Sequence, residues 1–151
     1  MSDEIRERLD VLARTLPCRP IRGADGSVYL YRFTLAALTE GGGYIYLHRF
    51  MRSDEDEELH NHPWSGTSLI LAGGYREERR AGHVVMAREC RRGDVNPIEP
   101  DTFHRVDLLE EDCWTLFVVG PVVQSWGFWH RSTGVFTKWR EFIAAKGLVP
   151  R

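Results

Sequence analysis

The chain has 151 residues, of which 42% are hydrophobic and 28% are charged, and its formal net charge is -2 at pH 7. This length and balance predict one globular domain, residues 1–151, with a hydrophobic core of its own. The nearly neutral charge argues against a nucleic-acid partner, because binding to phosphates needs a surplus of Lys and Arg.

The N-terminal residues, the longest apolar run and the cysteines together predict the cellular compartment. The first ten residues are charged and lack the apolar stretch of a secretory signal. The longest apolar run, 113–119, is too short to span a bilayer. Cys18, Cys90 and Cys113 are odd in number and far apart, which favours a reducing compartment over a disulfide framework. We therefore expect a cytoplasmic protein with no membrane partner.

The first predicted element is an amphipathic helix over residues 3–16. Ile5, Leu9, Leu12 and Leu16 recur at intervals of three and four, with charged residues between them. A proline directly after the helix provides its stop. Such a helix is expected to pack on the outside of a domain.

Most of the remaining chain is predicted to form short strands, because alternating apolar segments are separated by Gly-rich turns. The predicted strands cover residues 28–35, 44–52, 67–72, 75–79, 83–89, 94–98, 103–108, 114–119 and 126–129. Eight to ten strands at this spacing indicate a β-sandwich or a β-barrel. A closing helix is predicted near 137–146, with Gly147 in the C-cap position.

Three histidines form the most informative pattern of the chain. His60 and His62 are two residues apart, so on an extended segment they point the same way, and His104 follows 42 residues after His62. Three imidazoles on one face bind a divalent transition metal and leave positions open for chemistry. The sequence therefore predicts a metal-dependent active site, and the alternative is a pocket that the histidines merely line.

The neighbourhood of these histidines resembles the two motifs of the cupin superfamily, the RmlC-like jelly rolls. The first motif has His-x-His followed by a glycine, which here are residues 60–62 and Gly74. The second has a glycine eleven residues before a histidine, as Gly93 and His104 are. The resemblance implies an all-β fold, a cupin double-stranded β-helix (jelly-roll barrel) with an N-terminal and a C-terminal helix. Its barrel would cover about residues 25–130.

The chain departs from the commonest cupins at the fourth metal ligand. The glutamate of the first motif falls on Thr67, which has no carboxylate. What remains resembles the three-histidine cupins, which include cysteine dioxygenase and β-diketone dioxygenases. That resemblance implies a divalent metal, most often Fe(II), held by His60, His62 and His104.

The missing carboxylate also predicts the kind of substrate. Three neutral imidazoles leave a divalent ion with its full charge, which favours a small anionic substrate that chelates the metal. With iron the co-substrate would be O2. Imidazole also suits Zn, Ni and Cu, and Mn is a further candidate, so the sequence does not select the metal. Cupins often dimerise, and the resemblance therefore also implies a homodimer.

Other side chains are candidates for catalysis and substrate binding. The catalytic candidates are His48, Arg52 and Tyr75, and the substrate-binding candidates are Trp64 and Thr67. For each of them the alternative is a structural role in the barrel or at its surface. His48 or one member of the acidic run 54–58 is also a candidate for a fourth ligand.

Three functions are compatible with this sequence. The leading hypothesis is a non-haem Fe(II) dioxygenase that acts on a small metal-chelating organic anion. The second is a metal-dependent isomerase or decarboxylase of the cupin class. The third is a non-enzymatic cupin that binds a small ligand or a metal, because fold alone does not decide function.

Overall fold

The computed structural model describes residues 2–38 and 40–147. Within these ranges it contains two helices and twelve strands. In chain order they are α1 (Ser2–Ala13), β1 (Cys18–Arg22), β2 (Val28–Ala37), β3 (Tyr44–Phe50), β4 (Leu59–His60), β5 (Gly66–Ala72), β6 (Gly74–Ala81), β7 (Val84–Arg91), β8 (Val95–Ile98), β9 (His104–Leu108), β10 (Cys113–Val119), β11 (Gly127–Trp129), β12 (Phe136–Lys138) and α2 (Trp139–Ala145). Neither helix is long and apolar enough to cross a membrane.

The strands form two six-stranded antiparallel sheets. Sheet 1 has the order β1-β2-β3-β10-β5-β8, and sheet 2 has the order β12-β11-β4-β9-β6-β7. A core cluster of Ile70, Tyr75, Cys90 and Cys113 joins the two sheets, because its members come from β5, β6, β7 and β10. The predicted all-β class, with a helix at each end, is confirmed, and the two antiparallel sheets form a jelly-roll barrel.

The two faces of sheet 1 are covered differently. On β10, Thr115 and Phe117 share the interior face, because side chains alternate along a strand. Trp114 lies on the outer face, where it packs with Ala13 of α1 and with Leu47. Helix α1 therefore covers the outside of the barrel, as its amphipathic pattern predicts.

Helix α2 is attached to sheet 2 by aromatic stacking. The rings of Phe128 and Phe142 have centroids 3.9 Å apart, and those of Trp126 and Trp139 are 5.7 Å apart and nearly parallel. Aromatic side chains bury a large apolar area, so these pairs hold the helix against β11. Only three residues of β11 pair with β12, which makes this stacking important for the end of the sheet.

The structure adds three strands that the sequence pattern does not predict. β1 carries Pro20 in its middle, which is tolerated because β1 is the edge strand of sheet 1. β4 has only two residues, too few for any alternation to be read. β12 follows a turn directly and leads into α2. Helix α1 also ends at Ala13, three residues before the predicted end.

Candidate metal centre

The three histidines come together at the inside of sheet 2. His60 on β4 pairs in register with His104 on β9, so the two side chains share one face. His62 lies two residues beyond His60 and returns to that face. The three potential ligand atoms all lie within 4.8 Å of one another. The predicted spacing therefore produces a compact cluster.

The geometry of the cluster suits a single metal ion. The Nε2 atoms of His62 and His104 are 3.0 Å apart. Two nitrogens that lie about 2.1 Å from one ion at right angles are about 3.0 Å apart. The ring centroid of His60 lies 4.9 Å from the ring centroid of each of the other two histidines. Three imidazoles with their ligand atoms this close together could hold Fe(II), Zn(II) or a similar ion.

Burial keeps two of these histidines neutral. It lowers the pKa of His60 to about 4, although Asp54 opposes the shift. It also lowers the pKa of His62 well below the ordinary value, and positive charge on His60 or His104 would lower it further. Neutral imidazole is the form that binds metals, so these residues are ready to act as ligands at neutral pH without losing a proton.

A buried glutamate orients His104. The Oε2 atom of Glu77 lies 2.8 Å from His104 Nδ1, and the side chain of Glu77 is completely buried. Burial tends to raise the pKa of Glu77, but hydrogen bonds from His104 and Asn96 and the charge of Arg79 lower it to about 2. The carboxylate therefore accepts the Nδ1 proton of His104, which leaves the Nε2 lone pair free for a metal.

Glu77 belongs to a larger polar network inside the barrel. Asn96 Nδ2 donates to Glu77 Oε2 over 2.9 Å and to the Tyr75 hydroxyl over 2.8 Å. Arg79 and Arg88 form ion pairs with the same carboxylate, at 3.2 and 3.3 Å. These contacts offset the cost of burying a charge. They also fix the carboxylate in one position relative to His104.

A second carboxylate stands behind His60. Asp54 Oδ2 lies 3.9 Å from His60 Nδ1, which is beyond hydrogen-bond distance. The carboxylate accepts hydrogen bonds from the Val106 backbone N–H over 2.8 Å and from the Tyr29 hydroxyl. Of the acidic run 54–58, Asp54 is thus the member nearest to a candidate ligand, and it lies behind the imidazole rather than among the ligand atoms.

Aromatic rings surround the histidines. Trp64 stacks on His62, with centroids 4.3 Å apart and an interplanar angle of 11°. Trp126 and Phe128 each have their ring centroid 6.3 Å from that of His60. Of the two substrate-binding candidates, Trp64 is therefore in direct contact with the cluster. Thr67 lies on the exposed face of β5, and the structure does not bring it to the histidines.

His48 occupies the opposite sheet, inside the barrel. It is buried, and its Nε2 atom accepts a hydrogen bond from Arg32 Nε over 3.1 Å. Burial and the neighbouring guanidinium lower its pKa to about 3. His48 stacks on Phe117, which in turn contacts Trp64. Two aromatic rings therefore separate His48 from the ligand cluster.

The other two catalytic candidates lie away from the histidines. Arg52 forms ion pairs with Asp25 and Glu55 at the barrel surface. Tyr75 is buried in the core between the sheets, and burial raises the pKa of its hydroxyl. Tyr75 is linked to the cluster through Asn96 and Glu77 rather than by contact.

Comparisons with known proteins support the fold. No protein-family model matches this chain, and no curated protein matches it. Fe(II)-HppE, crystallised with an alternative substrate, matches with a TM-score of 0.54 and 11% identity over 72% of this chain and 57% of its own. KdgF from Halomonas sp. matches with a TM-score of 0.55 and 16% identity over 72% of this chain and 90% of its own.

A third structure, the DMSP lyase DddQ from Ruegeria pomeroyi, matches with a TM-score of 0.58 and 16% identity over 79% of this chain. The match covers 63% of the lyase chain. This chain therefore aligns with less than two thirds of the HppE and DddQ chains. At such low identity these matches establish a shared jelly-roll fold.

Proposed function

We propose that this protein is a metal-dependent cupin enzyme, and specifically a non-haem Fe(II) dioxygenase acting on a small metal-chelating organic anion with O2. The observation that carries the proposal is the cluster of three imidazoles, with His104 held in its metal-binding tautomer by Glu77. Bound Fe(II) would supply redox chemistry toward O2, and open coordination positions would accept the substrate.

The ligand chemistry supports an anionic substrate. All three members of the cluster are histidines and none is a carboxylate, so the ligands themselves would bring no negative charge to offset that of a divalent ion. The Fe(II) form of HppE demonstrates that a protein of this fold holds iron. In this protein, His60, His62 and His104 would bind the metal, and Trp64 would form part of the wall beside it.

A second candidate is a metal-dependent enzyme that does not use O2, such as an isomerase, decarboxylase or lyase. It is favoured by the match to a DMSP lyase, which covers 79% of this chain. The same three ligands would serve both chemistries, because a divalent ion can also act as a Lewis acid. The two candidates differ in the native metal and in their need for O2.

Metal content tests the proposal first. Untagged protein purified without oxygen would be measured by elemental mass spectrometry beside His104→Ala and beside His83→Ala, a control at an exposed turn. We expect close to one iron per chain in the wild type and the control, and a loss of at least tenfold in His104→Ala. O2 uptake with small chelating acids and diketones would follow.

The outcomes separate the candidates. Stoichiometric zinc or nickel, without O2 uptake, would favour the isomerase or lyase. A failure of wild-type protein to bind any of these metals, even after reconstitution, would contradict both candidates. Equal metal content in the wild type and His104→Ala would contradict the ligand assignment.

A further inference from the structure

A cavity of about 180 Å³ opens to solvent at one end of the barrel, where the exposed Tyr44 and Val122 belong to its lining, and it is not lined by the histidine cluster. Its wall includes Arg32, Tyr44, Tyr46, Trp64 and Phe117. The volume corresponds to roughly six water molecules of the liquid, so the cavity suits a small molecule. Among the described residues that line it, Arg32 is the one charged side chain.

Arg32 is a partly buried cation without an acidic partner. Its Nε atom donates to His48, and its guanidinium lies 4.5 Å above the ring of Tyr46. Within residues 2–38 and 40–147 it forms no ion pair with a carboxylate. Stacking on Tyr46 leaves the terminal N–H groups in the guanidinium plane available for an acceptor. A cation removed from water favours an anion beside it.

A second guanidinium increases this need for an anion. Arg19 on β1 is directly opposite Arg32 on β2 in the antiparallel register, so both side chains share one face of the sheet. Together with burial, the charge of Arg19 lowers the pKa of Arg32. Arg19 also has no ion pair within the described part of the chain. Arg19 is exposed, so water screens part of its repulsion of Arg32, and a bound anion would reduce what remains.

We propose that this cavity binds the carboxylate of a small organic acid, with Arg32 as its partner and the aromatic wall around its carbon skeleton. One guanidinium matches the charge of a monoanion, and its planar fork matches the geometry of a carboxylate. The rings of Tyr44, Tyr46 and Trp64 favour an acid with an unsaturated or aromatic carbon skeleton over an inorganic anion that has none.

Trp64 connects this cavity with the candidate metal centre. Its indole lines the cavity and also stacks on His62. An acid anchored at Arg32 would therefore lie beside the wall that separates it from the ligands. Binding of this acid at Arg32 therefore does not rest on the proposed function.

Binding of benzoate to the full chain, treated with a chelator to remove metal, tests the inference by titration calorimetry. Benzamide serves as the neutral analogue, and inorganic phosphate as an anion without a carbon skeleton. We expect benzoate to bind at least tenfold more tightly than either. Arg32→Gln should weaken benzoate binding at least tenfold. Arg32→Lys should weaken it less, because Lys keeps the charge but lacks the fork.

The matched control is Arg22→Gln, because Arg22 is an exposed arginine on the same strand as Arg19. It should bind benzoate like the wild type. The proposal would be overturned if benzamide or phosphate bound as tightly as benzoate. Wild-type affinity for benzoate in both Arg32 variants would overturn it as well. Circular dichroism would verify that each variant is folded. Benzoate binding by a protein that fails to load metal would contradict the proposed function and leave this inference intact.

Discussion

Replacing Glu77 by glutamine should weaken metal binding without dismantling the cluster. Glutamine has nearly the same shape, and its single oxygen can occupy the position of Oε2. There it would still accept from His104, Asn96 and Arg79. What the substitution removes is the negative charge that would make His104 a stronger ligand in the proposed metal site.

The expected losses of metal affinity and of stability follow from the contacts of the Glu77 carboxylate. Loss of a carboxylate that orients a metal-binding histidine costs about 10- to 100-fold in metal affinity, which corresponds to about 1.4–2.7 kcal/mol. The amide nitrogen would face Arg88 Nε, now 3.3 Å from Glu77 Oε1, so two donors would oppose each other. We expect this mismatch to lower the free energy of unfolding by about 2 kcal/mol.

Chelator competition with Zn(II) and Co(II) at pH 7.5 would measure affinity, and urea unfolding of the metal-free protein would measure stability. Glu89→Gln is the matched control, because Glu89 lies exposed on the neighbouring strand β7 and pairs with Arg91. If Glu77→Gln kept its metal affinity within twofold while losing stability, Glu77 would have a structural role alone. That result would refute the reasoning about His104.

Three further predictions concern the scaffold. His48 and His60 are buried and neutral in the folded protein, so below pH 6.5 they bind fewer protons there than in the unfolded chain. The free energy of unfolding of the metal-free protein should therefore fall from pH 6.5 toward pH 4, by up to about 1.4 kcal/mol per pH unit for each histidine. His48→Gln should reduce that slope in urea unfolding at several pH values, and an unchanged slope would contradict the assignment. Asp112→Ala should cost about 3 kcal/mol in urea unfolding, because Asp112 accepts from Arg6 and Arg49 and thereby ties α1 to β3; a loss below 1 kcal/mol would count against this role. Phe142→Ala should lower the free energy of unfolding by about 3 kcal/mol, because Phe142 packs on Phe128. Its metal affinity should stay unchanged in the same chelator competition. A large loss of affinity would show that α2 supports the site.

The His60–His62 pair was predictable because its determinants are local, whereas His104 was joined to it by the resemblance to the second cupin motif. Two residues of spacing place His60 and His62 on one side of an extended segment, and glycine-rich turns mark where strands begin. Gly73 illustrates the second point: it has φ +73°, and a Cβ atom there would lie 2.3 Å from the Asp112 carbonyl oxygen. The turn between β5 and β6 therefore requires glycine, and the sequence displays it directly.

Glu77 and Arg32 were not predictable in the same way. Glu77 stands in the charged stretch 76–80, which alone is typical of an exposed strand. Its burial depends on the alternation that begins at Tyr75 and on Asn96 from the other sheet. Arg32 likewise alternates with Tyr31 and Phe33, and its partner His48 comes from the next strand. Nothing local distinguishes an inward charged residue from an outward one.

The charged residues inside the barrel divide into two groups with different consequences. Around Glu77, Arg79 and Arg88 each form an ion pair with the carboxylate, which also holds His104. Around Arg32, the positive charge has a neutral histidine and an aromatic ring as neighbours, and no carboxylate among the described residues. Of the two guanidiniums on this face, Arg32 is partly buried and Arg19 is exposed, and a partly buried charge without a partner lowers stability unless something binds it. This contrast between the two groups supports the proposal that a ligand bound at Arg32 brings its own negative charge.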